Sequence, residues 1–210
     1  MDWVTASSLA TAGGTLVLAV ATFGSVRSAN RSARLTEQSL LAATRPLLMP
    51  TRLQDEPVKV GFMDEKWFRI EGGGAAAETG DGVVYLAIAV RNVGNGIAVL
   101  HGWRFYGERP TGAEPEHPPL DTFTRLTRDL YISAGENGFW QGTFRDPASE
   151  EYARARARID SGLDFTVDVL YGDEFGGQRT ITRFTLRPRP EGGYYASVGR
   201  HWHVDGPSPR

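Results

Sequence analysis

Trp3 to Val26 is a run of 24 residues without a charge. As a helix rising about 1.5 Å per residue it reaches roughly 36 Å. A bilayer's hydrocarbon core is about 30 Å thick, so one tilted crossing fits. Val4, Leu9, Leu16, Val17, Leu18, Val20 and Phe23 supply bulk. Thr5, Ser7, Ser8, Thr11, Gly13, Gly14, Thr15 and Thr22 dilute it. Ser and Thr bond back onto their own helix and are tolerated there. The run predicts an N-terminal transmembrane helix over 1–26. A cleaved leader is the competing reading, with Ala19-Val20-Ala21 as its small-residue site, but Met1-Asp2 supplies no basic n-region. A soluble helix of this length would carry a polar face.

Arg27, Arg31, Arg34 and Arg45 follow the run, against a single Glu37. Basic flanks stay in the cytoplasm. The expectation is a single-pass protein of the cell membrane, N-terminus outside and the remaining chain cytoplasmic. Arg27 to Thr44 continues as a helical stalk, and Pro46 stops it. Val26, Ala29, Ala33, Thr36, Leu40 and Ala43 recur in steps of three and four, a coiled-coil spacing. Ala6, Ala10 and Gly14 form a small-residue row of the kind that lets membrane helices approach closely. Together they allow a weak homodimer through span and stalk. A solvated stalk is the plainer alternative.

The chain divides into an anchor (1–26), a stalk (27–45), one folded domain (46–203) and a disordered tail (204–210). The folded part is long enough for a single core. There are no cysteines, so disulfides and thiolate metal sites are excluded. A net charge of −2 gives no bulk attraction for polyanions. The 21 Arg against 2 Lys reflect GC-rich codons. The 25 Gly and 12 Pro predict many turns, as in β-rich folds.

Val58 to Phe62 and Trp67 to Ile70 read as short strands, after an extended leading segment Arg45 to Leu53 held by Pro46 and Pro50. The Gly-rich stretch between Ile70 and Val83 reads as a mobile loop; it has no Lys-Ser or Lys-Thr pair and no strand-then-helix context for a nucleotide. Val83 to Arg91 alternates, with Val84, Leu86, Ile88 and Val90 on one face. Asn92, Gly94, Asn95 and Gly96 supply turn chemistry. A second strand follows, with Val99, His101, Trp103 and Phe105 on one face. This strand, Asn-x-Gly-x-Gly-x-Ala turn and strand, over residues 83–106, resembles immunoglobulin-like sandwiches of the adhesion-related and bacterial surface type. The resemblance implies a mainly β fold, an antiparallel β-sandwich, and no chemistry; Asn92 to Gly96 is a structural turn.

Gly107 to Arg128 reads as a surface excursion with Pro110, Pro115, Pro118 and Pro119. Strands follow at Leu130 to Ile132 and Gly138 to Phe144. Asp146 caps one short helix with Pro147 in its first turn; Ala148, Tyr152, Ala155 and Ile159 form its buried stripe, and Gly162 ends it. The last strands are Leu163 to Tyr171, with Leu163, Phe165, Val167 and Val169 inward, then Gln178 to Arg187 and Tyr194 to His203.

His201 and His203 share one strand face and are weak zinc-ligand candidates, with Asp205 or a loop carboxylate to complete the site. Asp164 and Asp168 stand roughly 13 Å apart on one face, too far for paired catalytic carboxylates. No nucleophile elbow or His-Glu-x-x-His motif occurs. No catalytic residue and no cofactor is expected. Basic residues cluster only in the stalk and the short helix, so no nucleic-acid partner is expected either. The resulting expectation is a membrane-anchored, non-enzymatic interaction or scaffold module, partnered by the lipid bilayer and by a protein. The alternatives are an outward-facing protein- or glycan-binding domain, a hydrolase or metal-dependent enzyme with a loop-assembled site, and an accessory subunit of a membrane complex.

Overall fold

The computed structural model describes residues 3–108, 116–206 and 208, with side chains from residue 12 onward. Pro110 and Pro115 lie outside the described residues. The chain forms two compact units, 1–43 and 44–210.

The first unit is one helix, α1 (Trp3–Ala43). Ser25 and Thr36 donate their hydroxyls to the carbonyls of Ala21 and Ser32, one turn back. Among the described residues, no helix is long and apolar enough to cross a membrane. That finding overturns the predicted transmembrane anchor, and with it the single-pass topology and the cytoplasmic placement read from the flanking arginines. The physical reason is dilution: among the described side chains, Gly13, Gly14, Thr15, Thr22 and Gly24 interrupt the uncharged stretch from Ala12 to Val26. The side chains of Ala6 and Ala10 lie outside the described residues. A Cβ on Gly14 would meet nothing within 4 Å.

The second unit is built on strands β1 (Leu48–Pro50), β2 (Val58–Gly61), β3 (Trp67–Ile70), β4 (Gly74–Gly80), β5 (Val83–Asn92), β6 (Ala98–Tyr106), β7 (Thr124–Ile132) and β8 (Asn137–Phe144). Helix α2 (Glu150–Asp160) and strands β9 (Phe165–Gly172), β10 (Arg179–Pro188) and β11 (Tyr194–His203) complete it. Nine strands form one antiparallel sheet in the order β1-β5-β4-β11-β10-β9-β6-β7, with β8 also on β5. The register puts β1 and β4 end to end along one flank of β5 and β8 along the other.

The sheet curls into a half-barrel rather than forming the two facing sheets of an immunoglobulin-like sandwich. Bulges supply part of the bend. One lies between Leu100 and Gly102, the other between Arg183 and Phe184. The first also shifts strand parity. Leu100 faces the core together with Trp103 and Phe105, while His101 sits in the bulge instead of sharing their face.

Leu86, Ile88, Trp140, Phe165, Val167, Val169, Tyr171, Phe184 and Leu186 fill the concave side. Tyr152 and Ala155 of α2 close it. The cap of α2 is Ser149, whose Oγ accepts the Tyr152 amide; the Asp146 side chain accepts from Ala148 just outside the helix. Gly162 follows at positive φ.

Three sequence expectations change. The Gly-rich stretch after Ile70 holds β4, because Ala75 to Ala77 are small enough to pack while pairing with β5. β7 starts at Thr124, so the excursion before it is shorter. Leu163 precedes its strand and is exposed; the inward set is Phe165, Val167, Val169 and Tyr171.

β5 is apolar on both faces. Its convex side, Tyr85, Ala87 and Ala89, lies under the two-stranded β2–β3 hairpin with Val60, Phe62 and Ile70. At the end of β5, Asn92 is fully buried. Its Oδ1 accepts the amides of Leu47 (3.1 Å) and Gly94 (3.0 Å). Its Nδ2 donates to the carbonyls of Gly96 (2.7 Å) and Ile132 (3.0 Å). The turn hugs the incoming chain, so a Cβ on Gly96 would stand 1.8 Å from the Thr44 carbonyl oxygen. Asn92→Ala is expected to cost roughly 2–4 kcal/mol, since two buried carbonyls and two amides lose their partner. Asn92→Asp should cost at least as much, because a carboxylate cannot donate to Gly96 and Ile132. Urea unfolding of the three proteins checks both the size and the order.

Candidate functional site

The register places Thr182 of β10 opposite His201 of β11, and Tyr171 of β9, itself opposite Thr180, reaches Thr182 on the diagonal. The Tyr171 hydroxyl accepts the Leu48 amide (3.1 Å) and shares a hydrogen bond with Thr182 Oγ1 (2.8 Å). Thr182 Oγ1 stands 2.8 Å from His201 Nδ1. Burial pushes the Tyr171 hydroxyl up to about 12. Arg45 Nη1 stands 2.7 Å from His203 Nδ1, and Arg45 Nε donates to Gln178 Oε1 (2.9 Å). Arginine only donates, so that imidazole nitrogen accepts.

This arrangement joins β1 and the segment before it to β9, β10 and β11. His201 and His203 do share a face, but a guanidinium sits against the second ring. Asp205 is turned away to Arg179, at 2.6 Å from Nη2. Among the described residues no three His, Asp or Glu side chains converge to hold a metal.

The convex face of the same strands carries a second cluster, in a cross-strand row of Arg104, Asp168, Arg183 and Arg200. Arg183 grips Asp168 with Nε and Nη2 at 2.6 and 2.7 Å, and both side chains are buried. The Arg183 guanidinium lies 5.3 Å from the Tyr106 ring centre and 4.9 Å from that of Trp202. Leu120 and Phe123 cover the neighbouring Leu170, Ile181 and Trp202. Asp164, the other carboxylate of the spacing argument, lies 3.5 Å from Arg187 Nε. Pairing of Asp168 with Arg183, directly opposite on the neighbouring strand, had no sequence signal beyond the alternation of β9 and β10.

Two of the concavities among the described residues are large. One of about 760 Å³ opens beside the end of β6, between Arg104 to Glu108, Phe144 and the first turn of α2. Its charges already offset one another, with Glu151 3.6 Å from Arg154. The other, about 570 Å³, is lined by Lys59, Trp67, Phe68 and Arg69 on the outward face of the β2–β3 hairpin.

That face follows from strand alternation. Val60, Phe68 and Ile70 point down onto β5, so Lys59, Gly61, Trp67 and Arg69 point out. Gly61 pairs with Trp67, and the indole lies over it; a Cβ there would meet the ring at 2.8 Å. The hairpin is fastened at three places. Phe62, Phe68 and Tyr85 pack edge to face, with ring centres 5.1–6.3 Å apart. Asp64 at the tip accepts from the Tyr85 hydroxyl and from Arg145 Nη1 (3.1 Å). The tyrosine bond first, then Arg145, holds the Asp64 carboxyl below its ordinary value. Lys66 pairs with Glu78 of β4. The outcome is a rigid platform with an indole on top. Its signal in the sequence was an aromatic at a polar-face position, Trp67, with glycine opposite.

Burial lowers the pKa of His201 and of His101. Both are held neutral in the fold, while the unfolded chain protonates them near 6.5. Stability is therefore unaffected by these groups above about pH 6.5 and falls as pH drops from there towards their folded values. The variant His101→Gln/His201→Gln is expected to flatten that part of the profile, measured as the urea midpoint between about pH 7 and 5. No protein-family model, no curated protein and no solved structure matches this chain.

Proposed function

We propose that the protein is a non-catalytic binding module whose ligand face is the outward side of the β2–β3 hairpin. One observation carries this reading. Trp67 is 67% exposed, while Trp103, Trp140 and Trp202 are 3%, 0% and 0% exposed. The folded unit buries the other tryptophans with described side chains and holds this one in water.

Leaving a large indole in solvent forgoes the roughly 1.5–3 kcal/mol that burying a large apolar side chain contributes. Trp67 also sits on a hairpin whose other face is packed and whose tip is tied down. A ligand that stacks on it meets a surface already ordered, so little conformational entropy is lost on binding. Met63, 92% exposed, is a second large apolar side chain left in water, in the hairpin turn. The exposed surface is a few side chains, suited to a flat ligand group rather than to a large dry protein interface.

The full chain, Trp67→Ala and Gly61→Val should be compared on arrays of oligosaccharides, short peptides and oligonucleotides. Ligands of the full chain are expected to lose roughly 5- to 150-fold in affinity with Trp67→Ala, the range of one stacking contact. Gly61→Val should weaken the same ligands by displacing the ring. Thermal midpoints should stay within about 3 °C for Trp67→Ala, as for an exposed side chain. Ligands held equally by all three proteins would place the binding surface elsewhere.

A further inference from the structure

Beside the Gly61–Trp67 pair, the next pair on the same hairpin face is Lys59 opposite Arg69. Directly opposed residues have Cβ atoms about 5 Å apart, and two like charges there destabilise the strand pair. Arg69 has Glu71 at 3.4 Å, in a pair whose members are 64% and 60% exposed; such a pair contributes little. Among the described residues, Lys59 has no carboxylate within ion-pair distance. A hairpin selected only to cover β5 would gain from a carboxylate at either position. The repulsion persists because the apolar underside and the Asp64 tie hold the strands together regardless.

An anion between Lys59 and Arg69 would relieve it. Successive outward positions on a strand are roughly 7 Å apart, so that anion lies one small ring away from the centre of the indole. The ligand must then combine a flat, C–H-rich face with a negative charge one ring away. A pyranose offers the first, since the partial positive charge of its C–H face meets the negative face of an indole. A carboxylate offers the second, accepting from the Arg69 fork and the Lys59 ammonium together.

The spacing of charge selects the class further. Asp55, Glu56, Asp64, Glu65 and Glu71 lie in or beside the hairpin. A nucleic acid carries a phosphate at each nucleotide and needs cations that continue along its path. On the outward face the positive charge is confined to Lys59 and Arg69, since Lys66 and Arg145 are already paired with Glu78 and Asp64. A sparsely charged chain fits that arrangement; a densely charged one is repelled.

We propose that the hairpin binds a carboxylated glycan, with a sugar ring stacked on Trp67 and a uronic-acid carboxylate between Lys59 and Arg69. This rests on reading the hairpin as the ligand face.

The test titrates the full chain with hexagalacturonate, with the same hexamer methyl-esterified at its carboxyls, and with a ten-nucleotide oligo-dT, by calorimetry at low and raised salt. The acidic hexamer is expected to bind, with an affinity that falls as salt rises. Esterification and the double variant Lys59→Gln/Arg69→Gln should each weaken it tenfold or more, and Trp67→Ala should weaken it by roughly 5- to 150-fold. The double variant should unfold at the same or a higher urea concentration than the wild type, which separates lost binding from lost folding. Failure of both hexamers to bind overturns the glycan assignment. Equal, Trp67-dependent binding of the esterified hexamer overturns the carboxylate while leaving the hairpin as ligand face. Trp67-dependent binding of oligo-dT in place of the hexamers overturns the glycan in the same way. Hexagalacturonate binding unchanged in both Trp67→Ala and the double variant overturns the hairpin itself.

Discussion

Burial of β5 on both faces is the constraint on which the second unit depends. Val84, Leu86, Ile88 and Val90 fill the concave core. Tyr85, Ala87 and Ala89 would face water on the convex side of an open antiparallel sheet. The β2–β3 hairpin exists to cover them. The two alanines decide how closely it approaches: without bulk there, Val60, Phe62 and Ile70 reach down to the strand. Tyr85 is the exception, and its hydroxyl explains why. Its ring joins the aromatic cluster beneath the hairpin while its oxygen reaches the rim and donates to Asp64. One side chain thus supplies both the apolar contact and the polar tie.

The convex face of β9, β10 and β11 solves the same problem differently. Asp168 and Arg183 are buried as a bidentate pair between Tyr106 and Trp202. Desolvating two charges costs as much as their attraction returns, so such a pair is weak support for stability. Its effect is on register. A slip of β10 by one residue would put Arg183 into the concave core and leave Asp168 buried alone. The apolar row beside it, Leu170, Ile181 and Trp202, tolerates sliding far better. The ion pair therefore acts on which pairing forms, and the covering segment from Leu120 to Phe123 acts on how strongly.

The strand pattern made part of this legible. The positions of β2, β3, β5, β8 and β10, and of the short helix, follow from alternation, turn residues and period. The single curled sheet does not, because period 2 is the same in a sandwich and a half-barrel. What separates them is long-range pairing, β11 with β4 and β6 with β9, and bulges that no short window contains. His101 shows the local cost: an extra residue at the bulge turned a clean alternation into a wrong face. β4 was hidden by its own composition, since Gly and Ala read as a linker until a neighbour buries them. At α1 the error had another source. The uncharged run was weighed by length, and the Gly and Thr inside it lowered its apolarity more than that weighing allowed.

The candidate site was the least legible part, for a physical reason. Trp67 and Lys59 lie in two four-residue strands that by sequence alone look like ordinary edges. An exposed indole and an opposed pair of cations are anomalies only relative to a known inside and outside. Once β5 sets the inside, the outward face of the hairpin is a surface where an exposed indole and opposed like charges are both held against their own preference. Rigidity is what makes that arrangement tolerable. A hairpin tied only at its base would twist Lys59 away from Arg69 and fold the indole down. Tied through Asp64, Lys66 and the Phe62–Phe68–Tyr85 cluster, it keeps both in place. The residues that stabilise the cover of β5 therefore also preorganise the face above it, and weakening any of the ties should loosen that face before it unfolds the barrel.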